Sequence, residues 1–250
     1  MISALSVSDL SLNIGGAKIL DGITLSVNQN ETLGIIGPNG AGKTSFFNLL
    51  SGVRKPSRGT IKVGDQDVTH MQPHQRAQVG LARTFQTSSV FTNLTCLENV
   101  RIAAQAANGR SMNLTRSAYS FKDVVQTAHD ALAKVGLAPR AMQLAGSLSH
   151  GDKRRLEIAI VLASKSDIVL LDEPMAGMSV ENVPELVEII RSLKVEHNKT
   201  VLIVEHHLEV IMGLADRIAV LNYGELLVCD TPDAVMNNQV VQSAYIGEAL

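Results

Sequence analysis

Apolar and polar residues alternate near the start of the chain, with Leu5 and Val7 in one run and Ile23, Leu25 and Val27 in another. A period of two predicts half-exposed antiparallel strands over residues 5–12 and 23–28. The pattern then changes. "TLGIIG", Thr32 to Gly37, is a short unbroken apolar run of the buried-strand type. A helix is expected from about Gly42 to Leu50, ending near Gly52. "GTIKVGDQDV" reads as a hairpin and "LARTFQ" as another short strand. From about Leu94 to Ala163 the spacing is helical and Ala-rich, broken by the polar loop "NGRSMNLTRS". Strands return in "DIVLLD", "TVLIVEH", "RIAVL" and "ELLVCD". Between the first two, Val183, Leu186, Val187, Ile190 and Leu193 share one face of a helix running to about Glu196. No internal repeat or low-complexity tract is present. The layout predicts an α/β domain interrupted by a helical insert, with the core over about 1–93 and 164–250 and the insert over 94–163.

Composition narrows the function. The 250 residues suit one or two domains with a core of their own, and 45% hydrophobic content excludes a disordered chain. Aromatics are only 3%, Trp is absent, and the formal net charge is -2. A reader of nucleic acid would carry stacking rings or a basic surplus, so no nucleic-acid partner is expected. Cys96 and Cys229 stand far apart without a CxxC or Cys/His cluster, against a zinc site and in keeping with a reducing compartment. The first residues do not read as a signal peptide. No apolar run approaches the ~18 residues of a spanning helix. The protein is expected to be soluble, or held at a membrane by a partner.

Two segments carry chemistry. "GPNGAGKT", Gly37 to Thr44, fits G-x-x-x-x-G-K-[ST] and lies between an expected strand and an expected helix. Glycines let backbone N–H groups turn toward phosphate oxygens, and the helix N-terminus adds partial positive charge. The candidate nucleotide contacts are Gly37, Pro38, Asn39, Gly40, Ala41, Gly42, Lys43, Thr44 and Ser45. Lys43 can reach the β- and γ-phosphates, and the Thr44 hydroxyl can hold Mg²⁺. The second segment, "IVLLDEP", sets Asp172 and Glu173 at a strand end, where parallel sheets face their ligands. Asp172 suits Mg²⁺ bound through water, and Glu173 suits orienting or deprotonating the attacking water. Either acid could also simply meet solvent; the phosphate loop tips the choice to catalysis.

These two motifs serve many nucleotidases. "LSHGD", Leu148 to Asp152, resembles the signature of ATP-binding cassette (ABC) proteins, written LSGGQ, and stands just ahead of the acidic strand as it does there. Further marks follow that family's order. "TFQ" resembles the Q-loop, with Gln86. "AGMS", Ala176 to Ser179, takes the D-loop position. "VEHH" resembles the switch-histidine segment, with His206 rather than His207. The resemblance covers essentially the whole chain. It implies a P-loop NTPase (RecA-like) core with an antiparallel β subdomain and an inserted α-helical subdomain, and an ATPase using ATP and Mg²⁺.

The resemblance also implies roles. Ser149, His150 and Gly151 would meet the γ-phosphate held by a second ATP-binding subunit, whether a second copy or an unlike partner. A helix starting near Ser149 has the free N–H groups and hydroxyl for that. Two nucleotides would join two subunits, and hydrolysis would part them. His206 would sense the γ-phosphate, and Gln86 would link Mg²⁺ or water to the helical insert. Three positions depart from the family pattern. Ile14 stands where an aromatic ring usually stacks on adenine, which implies modest discrimination between bases. His150 replaces the second glycine of the signature. Met178 and Ser179 follow Gly177 where an Asp is usual.

Several segments, among them "NIGGAKILDGI", "LARTFQTSSVFTNLTCLENV", "GDKRRLEIA" and "VEHHLEVIMGLADRI", resemble ATP-binding subunits of bacterial branched-chain amino acid importers and their urea/amide relatives. That likeness implies permease subunits, an indirect solute-binding protein, and a place on the inner face of the plasma membrane. Phe91, Leu94 and Leu97 are candidates for the groove that takes a permease helix, with core packing the competing reading. A lipid or polysaccharide exporter, a soluble ABC ATPase and a kinase on the same loop are the rivals. The last would leave "LSHGD" and His206 without a role.

Overall fold

The computed structural model describes residues 3–84, 90–108 and 122–246. Its contacts separate two units. One comprises Met1–Arg83, Asp167–Glu173 and Lys194–Leu250; the other comprises Thr84–Ser166 and Pro174–Leu193.

The chain opens with β1 (Ser3–Ile14) and β2 (Ala17–Asn28), longer than the alternation predicts and joined into one hairpin. Gly15 and Gly16, at φ 57° and 85°, close it with the two-residue turn that matches strand twist. β1 carries a bulge. Its register with β2 shifts between Val7 and Leu10, where Asp9 sits at φ 52°. The extra residue resets the phase, so Leu5 and Val7 before it and Leu10 and Leu12 after it are all buried.

Next come β3 (Thr32–Ile36), α1 (Lys43–Leu50), the hairpin β4 (Arg58–Val63) and β5 (Gln66–Asp67), α2 (Pro73–Gln78) and β6 (Leu81–Arg83). β6 covers Leu81–Arg83 of the expected strand "LARTFQ"; Gln86 lies outside the described residues. The expected helical stretch contains α3 (Cys96–Ala107), α4 (Lys122–Lys134) and α5 (His150–Ala163). Then follow β7 (Ile168–Asp172), α6 (Val183–Val195), β8 (Thr200–Val204), α7 (Leu208–Leu214), β9 (Arg217–Asn222), β10 (Glu225–Asp230), α8 (Pro232–Met236) and α9 (Gln239–Ile246).

Ten strands form two sheets among the described residues. An antiparallel sheet has the order β2-β1-β4-β5, and a six-stranded sheet has the order β10-β9-β3-β8-β7-β6. The second is parallel from β9 to β6, with β10 antiparallel at its edge. Every residue of β3, β7 and β8 is buried, as unbroken apolar runs require. α1 supplies Phe46, Phe47, Leu49 and Leu50 to a core shared with Leu33, Ile35, Leu170, Leu202 and Leu221. A helix of eight residues is too short to be stable alone. Burial of each Phe, worth about 1.5–3 kcal/mol, holds it in place.

In the other unit α3, α4 and α5 pack on one another. Ala104, Ala128, Ala131 and Ala159 are buried, as are Val100, Val124, Leu132 and Leu156. The Thr95 hydroxyl caps α3, accepting from Glu98 N at 3.1 Å. No helix among the described residues is long and apolar enough to cross a membrane.

Candidate functional site

In the first unit, β3, β8 and β7 are neighbours, and their C-terminal ends deliver three segments to one side of the sheet. This is the side on which open parallel sheets bind ligands. β3 delivers the loop 37–42, β7 delivers Asp172 and Glu173, and β8 delivers His206 two residues past its end.

The loop is shaped by two glycines. A Cβ on Gly37 would lie 2.1 Å from the Leu221 carbonyl oxygen, so only glycine lets the loop pass that strand. Gly42, the residue before α1, has φ 99°, and its Cβ would lie 2.6 Å from Leu20 Cδ2. The β9–β10 turn braces the loop from outside, since Gly224 N donates to Ala41 O at 3.1 Å. Lys43 is buried, and its ammonium donates to Gly37 O at 2.6 Å and Pro38 O at 2.9 Å. Positive charge is thereby fixed within the loop, at the N-terminus of α1, where the helix adds its own. A cleft of about 340 Å³ is lined by Asn39 to Ser45, Ile19, Glu173 and His206. Asn39, Gly40 and Thr44 are exposed at it, while Gly37 and Pro38 lie behind. Backbone amides, one lysine and a helix terminus together suit an anion such as phosphate.

The acids are held differently from each other. Asp172 is 2% exposed, and its Oδ2 accepts from Arg83 Nη2 at 2.8 Å. Its Oδ1 is buried with no hydrogen-bond partner among the described residues. A lone buried carboxylate oxygen is costly unless something else meets it. That oxygen and the exposed Thr44 hydroxyl are of the ligand type that Mg²⁺ prefers, so the chemistry of the residues present fits that cation. Glu173 has φ 48°, a rare conformation for glutamate, pinned by its own N–H donating to Val204 O at 2.9 Å. The turn carries its carboxylate off the strand axis to meet His206, with Oε1 2.9 Å from Nε2. His206 is half exposed and Glu173 largely covered.

In the second unit Ser149 is exposed and caps α5. Its hydroxyl accepts from Asp152 N at 3.1 Å and donates to Asp152 Oδ2 at 2.8 Å. Asp152 also pairs with Arg140 and, at 3.8 Å, Arg155, whose guanidinium reaches Glu185. His150 is exposed, and its ring lies 3.3 Å from where a Cβ on Gly177 would stand. The Met178 methyl approaches the same point on Gly151 at 3.4 Å. Two departures from the family pattern, His150 and Met178, thus belong to adjoining contacts between the start of α5 and the segment Ala176 to Ser179.

The structure brings together the loop, Glu173 and His206 at one cleft, and it places Ser149, His150 and Gly151 at one helix start. Ile14 lies at the β1–β2 turn, 41% exposed, and is not among the cleft residues, which include Ile19 instead. Phe91 is 58% exposed, Leu94 is partly covered and Leu97 is buried, so the packing reading holds for Leu97. Sequence reasoning missed Arg83. The sole signal for it is an arginine at the C-terminal end of a short strand.

Residues 20–176 match the family model described as ABC transporter. The chain is 39% identical over 98% of both chains to the high-affinity branched-chain amino acid transport ATP-binding protein LivG of Escherichia coli strain K12. It is 36% identical, again over 98% of both, to the corresponding protein BraF of Pseudomonas aeruginosa. Among solved structures, it is similar to an ATP-binding cassette of an ABC transporter in the ADP conformation. That likeness has a TM-score of 0.86 and 26% identity, over 99% of this chain and 100% of the other.

Proposed function

The chain belongs to the ABC transporter ATP-binding family, and from that membership we propose that it drives import of branched-chain amino acids or closely related small polar solutes. As a member of the family it binds and hydrolyses ATP to energise transport. The observation that carries the reading is the convergence of loop, Glu173 and His206 on one cleft.

In the proposed mechanism the loop amides and Lys43 hold the β- and γ-phosphates; Thr44 and Asp172 would hold Mg²⁺, which when bound would supply charge to offset that of the phosphates. Glu173 accepts a proton from the attacking water. His206, already hydrogen-bonded to Glu173, orients it and meets the γ-phosphate. Gln86 joins this set as the link to the helical insert. Ser149 and Gly151 of a second subunit complete the phosphate shell from the opposite side, with His150 beside them. That partner is a second copy or an unlike ATP-binding subunit, and the pair works on permease subunits at the inner face of the plasma membrane. Phe91 belongs to the permease-facing surface, and a solute-binding protein delivers the cargo to the permease.

Glu173→Gln tests the chemistry. It should cut ATP turnover by about 10²-fold or more and prolong a nucleotide-bound dimer in size-exclusion runs with ATP. Unchanged turnover removes Glu173 from its role. Cargo is tested separately, with the cognate permease in vesicles. ATP-dependent uptake of labelled leucine, isoleucine or valine supports the reading. ATP hydrolysis without uptake of any of them overturns the cargo and spares the ATPase.

A further inference from the structure

Arg83 ends β6 with its guanidinium buried, 5% exposed. A buried cation is tolerated only when its donors find partners. Here one fork reaches two elements. Nη2 donates to Asp172 Oδ2 at 2.8 Å, and Nη1 donates to Asn48 Oδ1 and Ser51 Oγ, both at 2.8 Å. Its carbon lies 5.8 Å from the centre of the Phe47 ring. Asn48 and Phe47 belong to α1, and Ser51 is the residue at its C-terminal end. The planar fork therefore ties the end of β7 to the helix that carries Lys43 and Thr44. It also decides which Asp172 oxygen is taken and which, Oδ1, is left without a protein donor among the described residues.

We infer that Arg83 is a positioning residue for the divalent cation: by holding Asp172 against α1, it keeps Oδ1 available to the ion that Asp172 and Thr44 would hold. This rests on the ATPase reading above. A lysine keeps the charge and the stem but has no planar fork, so it cannot bridge both elements in the same way.

The test uses Arg83→Lys, with Asn48→Ala/Ser51→Ala as a second variant that keeps the Arg83–Asp172 pair and frees its anchor. Mn²⁺ binding is titrated by electron paramagnetic resonance with a non-hydrolysable ATP analogue, and fluorescent ATP is titrated without metal. For Arg83→Lys, Mn²⁺ affinity should fall at least about fivefold while metal-free nucleotide affinity stays within about twofold. The double variant should shift the same way by a smaller factor. Unchanged Mn²⁺ affinity in a folded Arg83→Lys, or equal losses with and without metal, overturns the inference. If Arg83→Lys does not fold, the double variant decides alone by the same two criteria. Wild-type protein that binds neither nucleotide nor Mn²⁺ with nucleotide would instead overturn the ATPase reading.

Discussion

Ser149 has two separable jobs, and Ser149→Ala measures both. Locally its hydroxyl is the cap of α5, accepting from Asp152 N and donating to Asp152 Oδ2. Loss of such a cap costs about 1 kcal/mol. The Asp152 carboxylate keeps Arg140 and Arg155 as partners, so the loss should not grow to that of a bare buried charge. For a chain of this size that is a fall in Tm of about 2–4 °C. The proposed second job is to donate to a phosphate held by another subunit. Removing one donor of that kind lowers turnover by about 10²-fold or more. Nucleotide affinity of the single protomer should stay within about twofold, because the Lys43 loop belongs to the other unit. Ser149→Asn retains an acceptor for Asp152 N and should restore Tm. Calorimetry, fluorescent-nucleotide titration and steady-state hydrolysis give the three readouts. Full turnover by a folded Ser149→Ala would refute the reasoning, as would a loss of protomer affinity in step with turnover.

Gly42→Ala should weaken nucleotide binding at least tenfold, because φ 99° and the approach of Leu20 leave no room for a methyl group. Unaltered affinity in a titration would show that phosphate does not sit in this loop. Arg76, 1% exposed, donates to the carbonyls of Leu49, Leu50, Thr69 and Met71, and burial pulls its pKa below the arginine range. Arg76→Met should cost about 2–4 kcal/mol, seen as a lower denaturant midpoint, since buried carbonyls are left unmet; an unchanged midpoint refutes this. Burial also pushes the Cys96 and Cys229 thiols above their ordinary 9.0. Folding then favours the protonated thiols, so their contribution is full below pH 9.0 and is lost as pH rises through the higher folded values. Alkylation at pH 8 should be much slower than in guanidinium chloride. Equal rates would contradict it.

The fold class, and the placement of the loop, Glu173 and the start of α5, were legible because they rest on local patterns. The apolar runs of β3, β7 and β8 announce buried parallel strands, and the glycines between β3 and α1 announce the loop. Ser149 reads as a helix start and is one. What stayed hidden depends on residues far apart in sequence. Arg83 meets Asp172 across 89 positions, and no periodicity records such a pair. Strand order has no local trace either, so the neighbourhood of β3, β8 and β7 could not be read directly. The Gly15–Gly16 turn was open to reading from its two glycines, yet the alternation breaks before it and shortened both expected strands.

The bulge at Asp9 makes the chain's first strand more tolerant of replacement by Asn or Gly, which accept its φ of 52°, than of shortening. An exposed substitution at Asp9 changes one side chain, salt-linked to Arg58 at the surface. Excising the residue removes the half-step that lets Leu5 and Leu12 point the same way, and turns either the front or the back of the strand inside out. A survey of single-codon deletions should therefore find a lesion at a position where replacement by Asn or Gly finds none.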